Sequence, residues 1–251
     1  MRRIIIALLA MTLVACGANQ PTVTPTQTGI RFSADPNTVI VERVFGAGFT
    51  MPIYARMLEA PQVRIYGDGR VIYRYTSADG MKSEWQETKL ADGEFQALLR
   101  DVVGDTGDLC IAGDIADPDP MVTDMGGTTI SINTDKTQCN VSVYAAEVEQ
   151  RGTMSADVSR KYAQFVKANK ALDRFTAVAR NPYKPELVTL YREDGAGGDQ
   201  VPLEWTFSQK PINGELIKGD EAAALLQQAA MPAQFVYEGQ SFFAVAVPKL
   251  P

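Results

Sequence analysis

Two alternating runs, residues 62–66 and 70–76, are separated only by Gly67-Asp68-Gly69. An Asp-Gly turn between alternating apolar and polar residues is a strong short-range signal for an antiparallel hairpin. Alternation places Val71, Tyr73 and Tyr75 on one face and Arg70, Ile72 and Arg74 on the other, with Arg64 and Tyr66 sharing the latter. A second turn at Ser77-Ala78-Asp79-Gly80 leads to a third strand around 82–88, which extends the hairpin to a meander.

The rest of the chain repeats this grammar. Residues 38–45 are β-branched and apolar and read as a strand, ended by Gly46-Ala47-Gly48-Phe49. Asp92 reads as the N-cap of a helix whose core stripe is Phe95, Leu98, Leu99, Val102 and Val103, with Gly104 as its stop. A long acidic loop over 104–127 precedes a hairpin of 128–133 and 138–145. In that hairpin Ile130 and Ile132 alternate on one strand and Cys139, Val141 and Val143 on the other. Ser155 opens a helix to about Ala179, with Val158, Tyr162, Phe165, Val166, Leu172 and Phe175 inward and Lys161, Lys167, Lys170 and Arg174 outward. Two prolines in Asn181-Pro182-Tyr183-Lys184-Pro185 mark a linker. A strand over 186–192, a Gly-rich loop from Asp194 to Asp199 and a second strand at 202–207 follow. A helix from Asp220 to Ala230, capped by Asp220, precedes a hairpin at 233–247 around Glu238-Gly239-Gln240.

Antiparallel hairpins mixed with two to three helices define an α+β fold, not a βαβ one. The expected division is a main α+β domain at 30–180, a linker at 181–185 and a small α+β unit at 186–251 packed on the first.

The N-terminus carries an address. Arg2 and Arg3 precede an apolar run from Ile4 to Val14, and a small residue, Ala15, stands before Cys16. The run is shorter than the roughly 20 residues that span a bilayer. Leu13-Val14-Ala15-Cys16 looks like the lipobox of bacterial lipoproteins, which implies a signal peptide at 1–15 and a lipid on Cys16. A plain secretory peptide leaving Cys16 free is the competing reading. Residues 16–29 are rich in Pro, Thr and Gln, carry no charge and read as a flexible tether. Loss of Arg2 and Arg3 with the leader takes the formal charge from −6 to −8. An acidic body is repelled by anionic lipid, so the lipid rather than the protein surface does the anchoring.

Charge and composition exclude much. A net charge of −6 rules out a chain-wide basic surface for nucleic acid. With no histidine in the chain there is no Ser-His-Asp set, and no imidazole to activate a cysteine. Cys110 and Cys139 are an even pair in an exported chain and read as a disulfide, two buried free thiols being the alternative. Closing that loop is worth roughly 3–4 kcal/mol in the chain-entropy description.

The acidic loop holds Asp105, Asp108, Asp114, Asp117, Asp119 and Asp124 but departs from the spacing of a calcium loop, so a solvated loop is the expectation. Gly195-Ala196-Gly197-Gly198 lacks the Lys-Ser/Thr of a phosphate loop and reads as a connection. The one binding face to emerge is Arg64, Tyr66, Arg70 and Arg74, where guanidinium groups beside an aromatic ring can hold anionic groups or sugars. Glu84 or Glu87 on the next strand is the expected neutraliser.

Three segments carry a likeness: Tyr66-Gly67-Asp68-Gly69-Arg70-Val71-Ile72, Asp119-Pro120-Met121-Val122-Thr123-Asp124 with Gly126-Gly127-Thr128-Thr129, and Val141-Ser142-Val143-Tyr144-Ala145. With Lys218 to Leu226 they resemble an uncharacterised family of bacterial envelope lipoproteins. The resemblance implies an extracytoplasmic, membrane-anchored location and a two-part layout; it implies no activity. The expectation is a non-enzymatic module for a small ligand or an envelope protein, held to a membrane through an N-terminal lipid. No cofactor, metal ligand or catalytic residue is assigned. The competing class is a carboxylate-based envelope hydrolase, with or without calcium.

In detergent phase separation the wild-type chain is expected in the detergent phase and Cys16→Ala in the aqueous phase; equal partitioning removes the lipid from Cys16.

Overall fold

A computed structural model describes residues 29–80, 82–104, 107–112, 115, 125–146, 154–195 and 201–251. Cys16 lies outside them, as do Asp105, Asp114, Asp117, Asp119 and Asp124 of the acidic segment and Ala196-Gly197-Gly198.

The hairpin around Asp68-Gly69 forms as expected, from β1 (Val39–Phe45) onward through β2 (Val63–Tyr66), β3 (Arg70–Thr76) and β4 (Ser83–Lys89). Gly69 takes a φ of 81°, which an L side chain rarely adopts. Helix α1 (Pro52–Glu59) interrupts between β1 and β2 and was not expected from the sequence. Pro52 at its start presets the helical φ and has no N–H to leave unpaired. The second hairpin is β5 (Gly127–Asn133) with β6 (Gln138–Tyr144). These strands and β7 (Asn181–Pro182) build a seven-stranded sheet in the order β6-β5-β1-β2-β3-β4-β7, antiparallel throughout. The proline-rich segment is therefore an edge strand rather than a bare connector. Pro182 is tolerated there because an edge strand need not donate on its outer side.

The α+β class holds. Helices α2 (Asp92–Val103) and α4 (Ala156–Thr176) cover one face of this sheet. All five residues of the expected α2 stripe are buried, and they meet Val63, Ile65, Val71 and Tyr73 from the sheet and Phe165, Leu172 and Phe175 from α4. A register shift between Val39 and Val41 lets the consecutive residues Ile40 and Val41 both enter this core. Ser155 caps α4 by accepting a hydrogen bond from Val158 N at 3.3 Å. At α2 the cap is Ala91, not Asp92: Ala91 N donates to Glu94 Oε2 at 3.1 Å, and Asp92 lies in the first turn, where its charge meets the positive helix end.

The opposite face meets a second layer. Strands β8 (Leu187–Asp194), β9 (Leu203–Glu204), β10 (Leu216–Lys218), β11 (Ala233–Tyr237) and β12 (Gln240–Pro248) form a five-stranded sheet ordered β10-β8-β12-β11-β9. Here β10 was not anticipated, and the run at 202–207 yields only two strand residues, paired in parallel with β11. Helix α5 (Gly219–Ala229) is capped by Lys218 rather than Asp220, and Asp220 and Glu221 occupy its first turn. Its Ala222, Leu225 and Leu226 join Val188, Phe235 and Phe242 in a second core that takes in Tyr66, Ile72 and Trp85 from the first sheet.

Inside the expected acidic loop, α3 (Asp108–Ala112) forms a short helix and Ile115 bridges to Val143. Cys110 of α3 and Cys139 of β6 are joined by a disulfide, their Cα atoms 5.5 Å apart. The bond ties the helix layer to the outer hairpin.

Iodoacetamide is expected to label neither cysteine before reduction. Cys139→Ser is expected to lower the unfolding free energy by roughly 3 kcal/mol in urea titration; an unchanged midpoint would show that the bond adds no stability.

Candidate functional site

A cleft of about 760 Å³ lies over the polar face of β1, β5 and β6, beside β2. Strand alternation creates it. Ile130, Ile132, Val141 and Val143 point into the helix-side core, so Ser131, Asn133, Asn140 and Ser142 point the other way. Glu42 and Arg64 stand opposite each other across β1 and β2 and close the cleft on one side, with Arg64 Nε 2.5 Å from Glu42 Oε2. Both side chains are one-fifth exposed, enough to meet a ligand while remaining paired. Gln138 Nε2 donates to Asn133 Oδ1 at 3.0 Å, and Asn133 Nδ2 donates to Val39 O at 3.1 Å. The polar part of the lining is thus amide, hydroxyl and one ion pair, beside Val39, Ile40, Ile132 and Cys139.

Of the four residues expected to form a binding face, only Arg64 reaches this cleft. All four stand on the sheet face that alternation assigned, but the second layer divides them. Tyr66 is fully buried and donates to the main-chain oxygen of Pro251 at 3.2 Å. Burial raises its phenol pKa above 10.0, against the lowering effect of Arg64. Arg70 sits 4.5 Å over the Tyr66 ring and donates to Pro36 O at 3.0 Å. Arg74 is 6% exposed and donates to Met57 O at the end of α1, at 3.0 Å. The neutralising carboxylate is Glu42, not Glu84 or Glu87, because Arg64 faces β1 directly across the ladder.

The cleft residues Ser131, Asn133 and Asn140 were readable from the same alternation that placed Ile130, Ile132 and Val141 inward. Glu42 and Gln138 had no such signal, since their role depends on which strands become neighbours.

Two smaller cavities accompany the cleft. One of about 430 Å³ lies at the end of the first sheet among Arg43, Gln62, Arg74, Thr76 and Asp173. The other, about 220 Å³, separates β4 from α5 at Trp85, Gln86, Tyr183 and Leu226. Tyr183 N donates to Trp85 O at 2.9 Å, which holds its half-buried ring at that seam. Among the described residues no group of three His, Cys, Asp or Glu is arranged to hold a metal ion. No described helix is long and apolar enough to cross a membrane.

No family model, curated protein or solved structure matches the chain. The likeness to envelope lipoproteins therefore rests on its sequence segments.

Burial, followed by the neighbouring Tyr66, pushes the Tyr183 phenol from 10.0 up to about 12. The unfolded chain ionises first, so stability is full below pH 10 and falls as pH rises toward 12. Tyr183→Phe is expected to flatten part of this alkaline loss in denaturation curves taken across that window. An identical pH profile would assign the loss to other groups.

Proposed function

We propose that this protein is a lipid-anchored envelope module that binds, without transforming, a neutral ligand rich in hydroxyl and amide groups. The anchor is read from the leader and Cys16, and the ligand class from the cleft. The observation that carries the ligand class is the open β1-β5-β6 face, where Ser131, Asn133, Gln138 and Asn140 surround the Glu42–Arg64 pair. Amides donate and accept in one plane, and hydroxyls do both through one rotor, so such a wall satisfies paired hydroxyl and amide groups. The ion pair adds charge-assisted donors and acceptors without net charge, which suits an uncharged ligand. That is the chemistry of cell-wall glycan and its amide substituents.

The junction with the tether supports the layout. Ile30 N and O both pair with the Gln96 side chain at 3.0 Å, and the Phe32 ring packs 4.6 Å from Phe95. Residues 30 and 32 are thus held against α2, so a pull on the lipid would be passed to that helix.

Calorimetric titration of the full chain with soluble cell-wall oligosaccharides is the test. Saturable binding is expected, weakened roughly 10-fold in an Asn133→Ala, Gln138→Ala double variant if each lost hydrogen bond contributes near 1 kcal/mol. No binding, or binding untouched by the double variant, overturns the ligand class. Heat on adding calcium alone, with release of reducing sugar, would favour the hydrolase reading instead.

A further inference from the structure

The cavity at the end of the first sheet has the opposite character to the cleft. Arg43 on β1 and Arg74 on β3, with β2 between them, leave that sheet on opposite faces and both line the cavity at its rim, each more than nine-tenths buried. Arg43 Nη1 is well used: it meets Asp173 Oδ1 at 2.5 Å and Asn169 Oδ1 at 2.8 Å, both on α4. Its Nε is buried with no partner among the described residues. Arg74 makes one described side-chain hydrogen bond, to the carbonyl of Met57, and no described carboxylate pairs with it. Burial, with the Arg43 charge adding to it, lowers the Arg74 pKa to about 10, so the group is still a cation at neutral pH. Of these two buried cations only Arg43 has a described carboxylate partner, Asp173, which is half exposed. A buried charge without a counter-charge is strongly unfavourable. In a chain of net charge −6, a rim of excess positive charge is not a by-product of composition.

We propose that this cavity is an oxyanion site that takes the carboxylate or phosphate group of a small molecule between Arg43 and Arg74. The planar guanidinium fork matches both groups through paired N–H donors. Gln62 and Thr76 line the same cavity, and no described side-chain partner claims the Gln62 amide or the Thr76 hydroxyl, so they supply further donors at its mouth. The volume, about 430 Å³, is that of a small-molecule pocket rather than an ion-sized void. The site is independent of the neutral-ligand cleft, and either can fail without the other.

The test is thermal unfolding of the full chain in inorganic phosphate and, separately, in acetate, each against chloride at equal ionic strength. A saturable rise in Tm with at least one oxyanion is expected, and which of the two acts tells phosphate from carboxylate recognition. Arg74→Met is expected to abolish that rise while unfolding no lower than wild type in chloride, since it removes an uncompensated charge. A purely structural Arg74, holding the end of α1, predicts instead a lower Tm in chloride and an undiminished oxyanion effect. Should Arg74→Met not fold, a Gln62→Ala, Thr76→Ala double variant on the cavity mouth decides, with a roughly 10-fold weaker oxyanion effect expected. No saturable rise with either oxyanion, or a rise that these variants leave unchanged, overturns the proposal.

Discussion

Strands β2 and β3 are buried on both faces, and the rest of the molecule is arranged around that fact. Val63, Ile65, Val71 and Tyr73 enter the core under α2 and α4, while Tyr66 and Ile72 enter the core beneath the second sheet. Antiparallel sheets commonly leave one face to water. Here the alternation within Val63–Tyr66 and Arg70–Thr76 carries large apolar side chains on each face, so each demands its own cover. One cover comes from helices close in sequence; the other comes from the C-terminal segment. Cutting the chain near residue 185 would strip Tyr66, Ile72 and Trp85 of Phe235, Phe242 and Leu225, leaving an apolar patch on an open sheet.

Two-sided burial also dictates the fate of the arginines. A polar residue on such a strand has little water to turn to and leans on protein partners or a ligand. Arg64 finds Glu42 directly across the ladder, and Arg70 finds the Tyr66 ring and Pro36 O at the turn end. Arg74, at the other end of β3, finds one carbonyl. The three cations that look equivalent by alternation therefore differ in what they can still bind. The difference is set by elements 17 or more residues away in sequence.

That division marks how far the sequence could be read. Local pattern placed β1 to β6 of the first sheet, the stripe of α2, most of that of α4 and the two hairpin turns. Each of these depends on neighbours along the chain, whereas the Cys110–Cys139 bridge, 29 residues apart, was read from the even cysteine pair and the export signal. Local pattern missed α1, whose eight residues carry a short and imperfect apolar stripe, and it read Asn181–Pro182 as a break because proline marks chain ends more often than sheet edges. Asp92 was assigned the cap one residue too late and Asp220 two, errors within the ordinary fraying of helix ends. The binding face was legible as a face and illegible as a surface. Nothing local says that the last residues of the chain return to cover Tyr66.

The two candidate sites meet in β1. Glu42 and Arg43 are consecutive, so the pleat sends one to the polar cleft and the other to the helix side. Glu42 holds Arg64 at the cleft wall, and Arg43 holds Asn169 and Asp173 of α4. An oxyanion drawing the Arg43 guanidinium away from Asp173 would act on the residue next to Glu42, through one peptide unit. β1 is fixed on both sides, by β2 and by β5, so it has little freedom to shift as a whole. Any influence of one site on the other must then travel through the side chains of this strand: Arg43 relaxing its hold on α4, or Glu42 its hold on Arg64. A central strand that presents a charge of each sign to opposite faces keeps both pairs in register, and that register places the cleft and the cavity within a single residue of each other.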